Sequence, residues 1–158
     1  MTEDAKFEDG GEEPLRLKAM DGDDLKVMSA LVQDAVFPGS EMQWDKAQRR
    51  FGLLLNRFRW EDAENAKTRG RAVERVQSVL AFEDVARVQT QGVLRDADTI
   101  LSLLSVEFEP ADDGAGRVIL TLAGDGAIAL DVETLEAVLR DVTRPYIAPS
   151  RTVPEHRD

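Results

Sequence analysis

The sequence predicts an α+β domain built on a rolled, antiparallel sheet of seven strands. Three observations carry this prediction: apolar and polar side chains that alternate, short turns rich in Asp and Gly, and an amphipathic segment after the last strand. Short strands with tight connections pair antiparallel, and seven of them tend to curl or to split into two layers. The length of 158 residues is enough for a single domain.

A strand and a helix are predicted in front of this sheet. Leu15–Ala19 alternates apolar with basic side chains, as a strand does. Asp21–Asp24 supplies the acids typical of a helix N-terminus, and Pro38-Gly39 is expected to end the helix. Between them, apolar residues recur at helical spacing: Leu25, Met28, Val32 and Ala35.

Seven further segments have the side-chain pattern of strands. They are Met42–Trp44, Phe51–Trp60, Val76–Phe82, Val85–Val88, Ile100–Phe108, Val118–Leu122 and Ile128–Val132. Gly124-Asp125-Gly126 is a compact hairpin signal, because such turns need positive φ angles. Glu61–Arg71 is polar, and we predict a long mobile loop there.

The final predicted element is a second helix at about Glu133–Val142, which Pro145 ends. Its apolar residues form one stripe at three- and four-residue spacing: Leu135, Val138, Leu139 and Val142. Such a stripe must be covered, and this helix can close the open end of a rolled sheet. Seven strands followed by a capping helix is the element order of a pleckstrin-homology-like barrel. The alternative is an open α+β sheet with both helices on one face.

The predicted domain has a tail at each end. Residues 1–13 contain six acids and one lysine, which predicts an acidic disordered tail. Residues 14–143 form the single α+β domain. Residues 144–158 contain three prolines and no periodic pattern, so we expect an irregular C-terminal tail.

Composition excludes several classes of site and partner. The chain has no cysteine, which excludes disulfides and cysteine nucleophiles, and its one histidine is His156 in the C-terminal tail. We therefore expect no catalytic residues, no metal and no cofactor. The net charge of −11 repels phosphate groups, so nucleic acid and anionic membranes are not expected partners. No segment resembles a secretory signal or a membrane span, and we expect a cytoplasmic protein.

The most unusual stretch is Asn56–Trp60, which contains Arg57 and Arg59. Strand periodicity puts both arginines on one face, where they repel each other unless an anion lies between them. Arg71 and Arg75 in the next segment can join them. One interpretation is a ladder of ion pairs with acids such as Glu74 or Glu83. The other is a binding site for a small anion or an acidic peptide, formed by Arg57, Arg59, Arg71 and Arg75.

Several stretches together resemble an uncharacterised alphaproteobacterial family, domain of unknown function 2948. They are Leu15–Ala19 with Asp23–Leu25, Arg49–Phe51, Asn56–Glu61, Arg75–Phe82, Ile100–Leu104 and Gly126–Glu133. The resemblance covers about residues 14–146, and Asn56–Trp60 is its most specific part. It implies a cytoplasmic bacterial protein and a whole domain, and it implies no activity, cofactor or catalytic residue.

These observations favour a non-catalytic cytoplasmic module that recognises a protein or a small anion, as a binding or adaptor domain does. A homodimer is one form of such binding, since it would cover an exposed strand edge or an apolar patch. The alternative is an enzyme that uses arginine and carboxylate chemistry without histidine or cysteine.

Overall fold

The computed structural model describes residues 14–147, which contain ten strands and two helices. The strands are β1 (Arg16–Ala19), β2 (Val36–Pro38), β3 (Met42–Asp45), β4 (Arg50–Phe58), β5 (Arg75–Phe82), β6 (Val85–Gln91), β7 (Ile100–Pro110), β8 (Gly116–Leu122), β9 (Ala127–Val132) and β10 (Ala137–Asp141). The helices are α1 (Gly22–Leu31) and α2 (Ala63–Thr68). The predicted tail of residues 1–13 and residues 148–158 of the predicted C-terminal tail lie outside the described residues.

All ten strands belong to one sheet, and its strand pairs are antiparallel. The strand order is β1-β10-β5-β4-β2-β7-β8-β9-β6, and β3 lies beside β4. The end strands β1 and β6 do not pair with each other in the described part of the chain, so the sheet is open. The predicted antiparallel α+β class is confirmed, whereas a closed barrel of the pleckstrin-homology type is not.

The sheet nevertheless bends strongly. β5 and β6 lie third and ninth in the strand order, yet only Glu83 and Asp84 connect them. In a flat sheet, six strand spacings of about 4.8 Å would separate them by roughly 29 Å. The three Cα–Cα steps from Phe82, at the end of β5, to Val85, at the start of β6, reach at most about 11 Å. The half made of β1, β10, β5 and β4 must therefore fold over the half made of β7, β8, β9 and β6.

The core lies between these two halves and under α1. Side chains from the inner faces of both halves form one buried cluster, for example Leu80 and Phe82 with Leu120 and Leu130. Helix α1 adds Leu25 and Met28, both of which are buried. Its N-cap is Asp21, whose carboxylate accepts a hydrogen bond from the backbone N–H of Asp24 at 2.8 Å.

The predicted strands from Met42 to Val132 are confirmed as β3–β9, and the predicted first strand is β1. The prediction that the first helix continues to Pro38-Gly39 was wrong. Helix α1 ends at Leu31, and Val36–Pro38 forms β2 between β4 and β7. Val32 and Ala35 are buried as predicted, but they lie after the helix.

The prediction of a capping helix at Glu133–Val142 was also wrong. Residues Ala137–Asp141 form β10, which pairs with β1 on one side and with β5 on the other. Ala137, Leu139 and Asp141 point inward, while Arg140 is exposed. A strand is favoured here because a helix would leave one edge of β5 without backbone hydrogen bonds.

The prediction of a long loop at Glu61–Arg71 needs correction as well. This segment contains a 3₁₀ turn at Trp60–Asp62 and helix α2. The turn follows β4 directly, and the indole N–H of Trp60 donates a hydrogen bond to the carbonyl oxygen of Gln33 just after α1. The segment is therefore anchored to the domain.

Gly39 allows the loop before β7 to pack against the end of β2. A Cβ atom at this position would lie 1.8 Å from the carbonyl oxygen of Leu94. The backbone N–H of Gly39 donates to the carbonyl oxygen of Thr99 at 3.0 Å, which fixes this close approach. Gly22, in the first turn of α1, has open space where a Cβ would stand.

We expect Gly39→Ala to lower the free energy of unfolding by roughly 1–3 kcal/mol, the usual cost of overpacking. Urea denaturation followed by tryptophan fluorescence measures this loss. Gly22→Ala is the matched control and should leave stability unchanged or raised, because alanine favours helix formation. Equal stability of the two variants would contradict the close packing of Gly39 against Leu94.

Candidate functional site

The unusual stretch that contains Arg57 and Arg59 forms the end of β4 and the turn after it. Leu53, Leu55 and Arg57 point to the inner face of the sheet, as strand periodicity predicts. The Arg57 side chain is 0 % exposed, although it carries a charge that is costly to remove from water. Its guanidinium group therefore requires partners within the protein.

The hydrogen bonds of Arg57 use all five of its N–H groups. Nε donates to Ser78 Oγ at 3.1 Å and to Asp141 Oδ1 at 3.2 Å. Nη1 donates to the carbonyl oxygen of Phe58 at 3.1 Å and to Glu61 Oε1 at 2.9 Å. Nη2 donates to Glu61 Oε2 at 2.9 Å and to Asp141 Oδ1 at 3.1 Å. No donor of this guanidinium is left for an external anion.

Asp141 extends this network to two further strands. Its Oδ1 accepts a hydrogen bond from Ser78 Oγ on β5 at 2.7 Å. Its Oδ2 accepts one from the backbone N–H of Leu15, the residue before β1, at 2.9 Å. The Asp141 N–H donates in turn to the Leu15 carbonyl oxygen at 2.9 Å. The buried network thus joins β1, β4, β5, β10 and the turn at Trp60–Asp62.

Arg59 and Arg71 lie further out and pair with other acids. The Arg59 side chain is almost buried and contacts Glu74 through Nη1. The same Nη1 lies 3.5 Å from Asp62 Oδ2. Arg71 Nη2 lies 2.7 Å from that oxygen, so Asp62 holds both arginines. Both positive charges are balanced within the domain.

Arg75 differs from the other three arginines, because its partners within residues 14–147 carry no negative charge. Its guanidinium carbon lies 4.2 Å from the centre of the Phe58 ring, in a cation–π contact. Its Nε donates to Asn56 Oδ1, and Asn56 Nδ2 donates in turn to the hydroxyl of Tyr146. Backbone hydrogen bonds also join Arg75 and Tyr146.

The environment lowers the pKa values of three groups in this cluster. Burial raises the pKa of Glu61, but hydrogen bonds and positive charge from Arg57 lower it by more, so its pKa lies below the usual range. Burial also raises the pKa of Asp62, and hydrogen bonds from Arg71 and Asn65 again produce a net lowering. Burial lowers the pKa of Arg75.

The structure brings the four predicted site residues to one end of β4 and β5. Of the two acids predicted as ion-pair partners, Glu74 pairs with Arg59. Glu83 pairs instead with Arg50, at 2.7 Å. Sequence analysis missed Ser78, Glu61 and Asp141 as partners of Arg57. The binding of an anion or acidic peptide by the four arginines stays a prediction.

A second surface lies on the opposite face of the sheet. On this outer face, the side chains of β10, β5, β4, β2 and β7 are largely apolar and half-buried or exposed. We call them the outer strip: Val36, Leu54, Val79, Ala81, Ile100 and Val138. Ile100 is 59 % exposed, which is high for an isoleucine within a strand.

The two ends of the outer strip carry opposite charges. At the β1 end, the exposed residues Arg16 and Arg140 are direct cross-strand partners, and Lys18 lies beside them. At the β3 end lie Glu41 and Asp45, together with Arg50, whose charge is paired with Glu83. A depression of about 300 Å³ beside Glu41 and Asp45 has Gly52, Leu54, Val79 and Ala81 in its lining.

Residues 14–147 contain neither a cluster of metal ligands nor a membrane-spanning helix. No three acidic or histidine side chains in this range are grouped so that they could hold a metal ion. No helix in this range is long and apolar enough to cross a lipid bilayer.

Comparison with known proteins gives one match. The model of a family described as "Protein of unknown function (DUF2948)" matches residues 15–156. No curated protein and no solved structure gives a significant match. The resemblance to domain of unknown function 2948 is confirmed, whereas the bacterial origin that it implied stays a prediction, and the match carries no activity with it.

We expect Arg57→Leu to lower the free energy of unfolding by roughly 3–5 kcal/mol, because it leaves the buried carboxylate of Asp141 without its cation. Chemical denaturation of both proteins measures the difference. Arg50→Leu is the control, since it removes an ion pair whose arginine side chain is half exposed, and its effect should be much smaller. Similar losses in the two variants would contradict a stabilising role for the buried network.

We expect the lowered pKa of Glu61 to make the domain sensitive to acid. Its contribution to stability is fully present above the unfolded pKa of about 4.3 and is lost as pH falls through the lower folded pKa. Urea denaturation between neutral pH and pH values below 4 should show a smaller pH-dependent loss in Glu61→Gln than in the wild type. Glu133→Gln, which alters an exposed pair with Arg49, should keep the wild-type pH dependence. Identical pH profiles for Glu61→Gln and the wild type would contradict the pKa shift.

Proposed function

We propose that this chain, which belongs to the DUF2948 family of proteins of unknown function, is a non-catalytic cytoplasmic protein-binding module. Its binding surface is the outer strip, and its partner is a second copy of the same chain. The observation that carries the proposal is an apolar surface on the face opposite the core, with opposite charges at its two ends.

The extent of the outer strip supports this proposal. It covers the neighbouring strands β10, β5 and β4 in one half of the folded sheet, which corresponds to roughly 10 Å at about 4.8 Å per strand spacing, and it continues onto β2 and β7 where the sheet bends. An apolar centre with a charged rim is the usual composition of a protein interface. The outer faces of β8 and β9 are more polar, since Arg117, Thr121 and Asp131 lie there.

The charges at the β1 end support an acidic counterpart. Arg16 and Arg140 lie directly opposite each other on neighbouring strands, and like charges in this arrangement are destabilising. Neither arginine has an ion pair among residues 14–147. A carboxylate from a partner would lie between the two guanidinium groups and remove their repulsion.

A second copy can supply that carboxylate by symmetry. Cross-strand partners run in one line from Lys18 through Val138, Ala81 and Gly52 to Gln43, so the strip joins the basic end to the acidic end. A twofold axis that lies in the plane of the interface, at right angles to the line from Lys18 to Gln43, brings the outer faces of two copies together. It places Arg16 and Arg140 of one copy over Glu41 and Asp45 of the other. Such an interface is self-complementary, as twofold dimers require.

Three of the four arginines of the sequence-based prediction, Arg57, Arg59 and Arg71, are less suited to binding. The donors of Arg57 are used internally, and Arg59 and Arg71 are balanced by Asp62 and Glu74. The same saturation argues against the alternative enzyme that would use arginine and carboxylate chemistry. No observation among residues 14–147 favours that enzyme over a binding module.

The proposal is tested by measuring the mass of the protein in solution with light scattering and analytical ultracentrifugation. We expect the wild type to form a dimer, and Val79→Asp to weaken dimerisation by more than about tenfold, or 1.4 kcal/mol. Ile119→Asp is the matched control, because Ile119 is a half-buried residue on the outer face of β8. It should leave dimerisation unchanged.

A charge exchange tests the proposed orientation. Arg140→Glu alone and Glu41→Arg alone should each weaken the dimer, and the variant that carries both changes should recover it. A wild type that stays monomeric at millimolar concentration would overturn the proposal. So would a dimer that Val79→Asp leaves intact.

A further inference from the structure

We propose that the groove between α1 and the free edge of β7 binds an extended, basic peptide segment by strand addition. This edge groove has a volume of about 480 Å³. Residues Ser105–Glu109 of β7 line one side, and residues of the first two turns of α1 line the other. It lies apart from the outer strip, so the proposed peptide site can be tested independently of the proposed dimer.

The edge of β7 in this groove is not covered by another strand in the described part of the chain. Strand β2 pairs with β7 only at Ile100–Ser102, and two further backbone hydrogen bonds extend this contact as far as Leu103. A bulge then follows between Leu103 and Ser105. Beyond the bulge, β7 pairs with β8 alone.

The directions of the backbone groups follow from the hydrogen-bond pattern. The N–H of Ala111 donates to Ala115 across the β7–β8 hairpin. Because hydrogen-bonded and non-hydrogen-bonded pairs alternate in antiparallel strands, Val106 and Phe108 direct their N–H and C=O groups away from β8. The N–H of Val106 accordingly donates to Ser29 Oγ on α1 at 2.8 Å.

Phe108 is therefore the residue whose backbone is available to a new strand. Its N–H and C=O point into the edge groove, and the C=O of Val106 lies beside them. Pro110 has no N–H group, which ends the edge at that point. An added segment of four or five residues would match this length, and main-chain hydrogen bonds would supply its affinity.

The side chains of the groove define the chemistry of the peptide. Glu107 and Glu109 are exposed on the outer face of β7, and Asp23 of α1 adds a third acid. Lys26 is the one basic residue in the lining. Phe108 lies on the inner face with Leu25 at the bottom of the groove. Directly opposed residues share a face of a sheet, so a paired segment should alternate basic with apolar side chains.

The probe for the experiment is the capped hexapeptide Val-Lys-Val-Lys-Val-Lys. It is added to the ¹⁵N-labelled full-length protein, and amide chemical shifts are followed by NMR. We expect saturable shifts at Ser105–Glu109 and in the first two turns of α1. The peptides Val-Glu-Val-Glu-Val-Glu and Val-Lys-Pro-Lys-Val-Lys should not bind, because one has the wrong charge and the other cannot continue the strand pairing.

Charge-reversal variants separate the groove from the general acidity of the protein. Glu107→Lys with Glu109→Lys should weaken binding of the lysine peptide by at least about tenfold. Glu64→Lys with Asp98→Lys makes the same change of charge at exposed positions outside the groove, and binding should stay at the wild-type level. Equal weakening by both pairs would overturn the proposal, as would shifts located away from β7 and α1. Undiminished binding of the peptide that contains proline would also overturn it.

Discussion

The buried guanidinium of Arg57 is the interaction on which much of this fold depends. A charge without exposure to water must be matched inside the domain, and Glu61 and Asp141 match it from opposite sides. Asp141 can reach Arg57 only if β10 lies beside β5, and its hydrogen bond with Leu15 holds the entry to β1. One side chain therefore accounts for the position of β10 beside β5 and for the contact of β10 with the start of β1.

The surfaces of the molecule differ in how many of their charged and backbone polar groups are already paired within the domain. At the end of β4, carboxylates neutralise Arg57, Arg59 and Arg71, which produces stability and leaves these three arginines little capacity to bind a ligand. On the outer face and along β7, unpaired groups remain: Arg16 opposite Arg140, exposed Ile100, and the backbone of Phe108. Groups that the fold leaves without partners among residues 14–147 are where binding is expected.

Particular residues show how far sequence reasoning reaches here. Strict alternation identified the strands from Met42 to Val132 and put Arg57 and Arg59 on one face. That Arg57 points inward, and that β4 ends at Phe58 before Arg59, follows from the structure alone. It failed at β10, because Leu135, Val138, Leu139 and Val142 fit a helical period as well as Ala137, Leu139 and Asp141 fit a strand. The edge groove was not predictable, since a bulge after Leu103 shifts the register of β7 without a local sequence signal.

The pairing between the first and last strands also affects how the molecule forms during synthesis. Arg57 and Asp141 are separated by 84 positions, and Leu15 and Asp141 by 126. A growing polypeptide must therefore keep one edge of β5 uncovered, and Arg57 without one of its two carboxylate partners, until β10 has left the ribosome. Such non-local topology slows folding and prolongs the exposure of an unpaired strand edge, which is prone to aggregation. Truncated products of incomplete translation would carry that edge permanently.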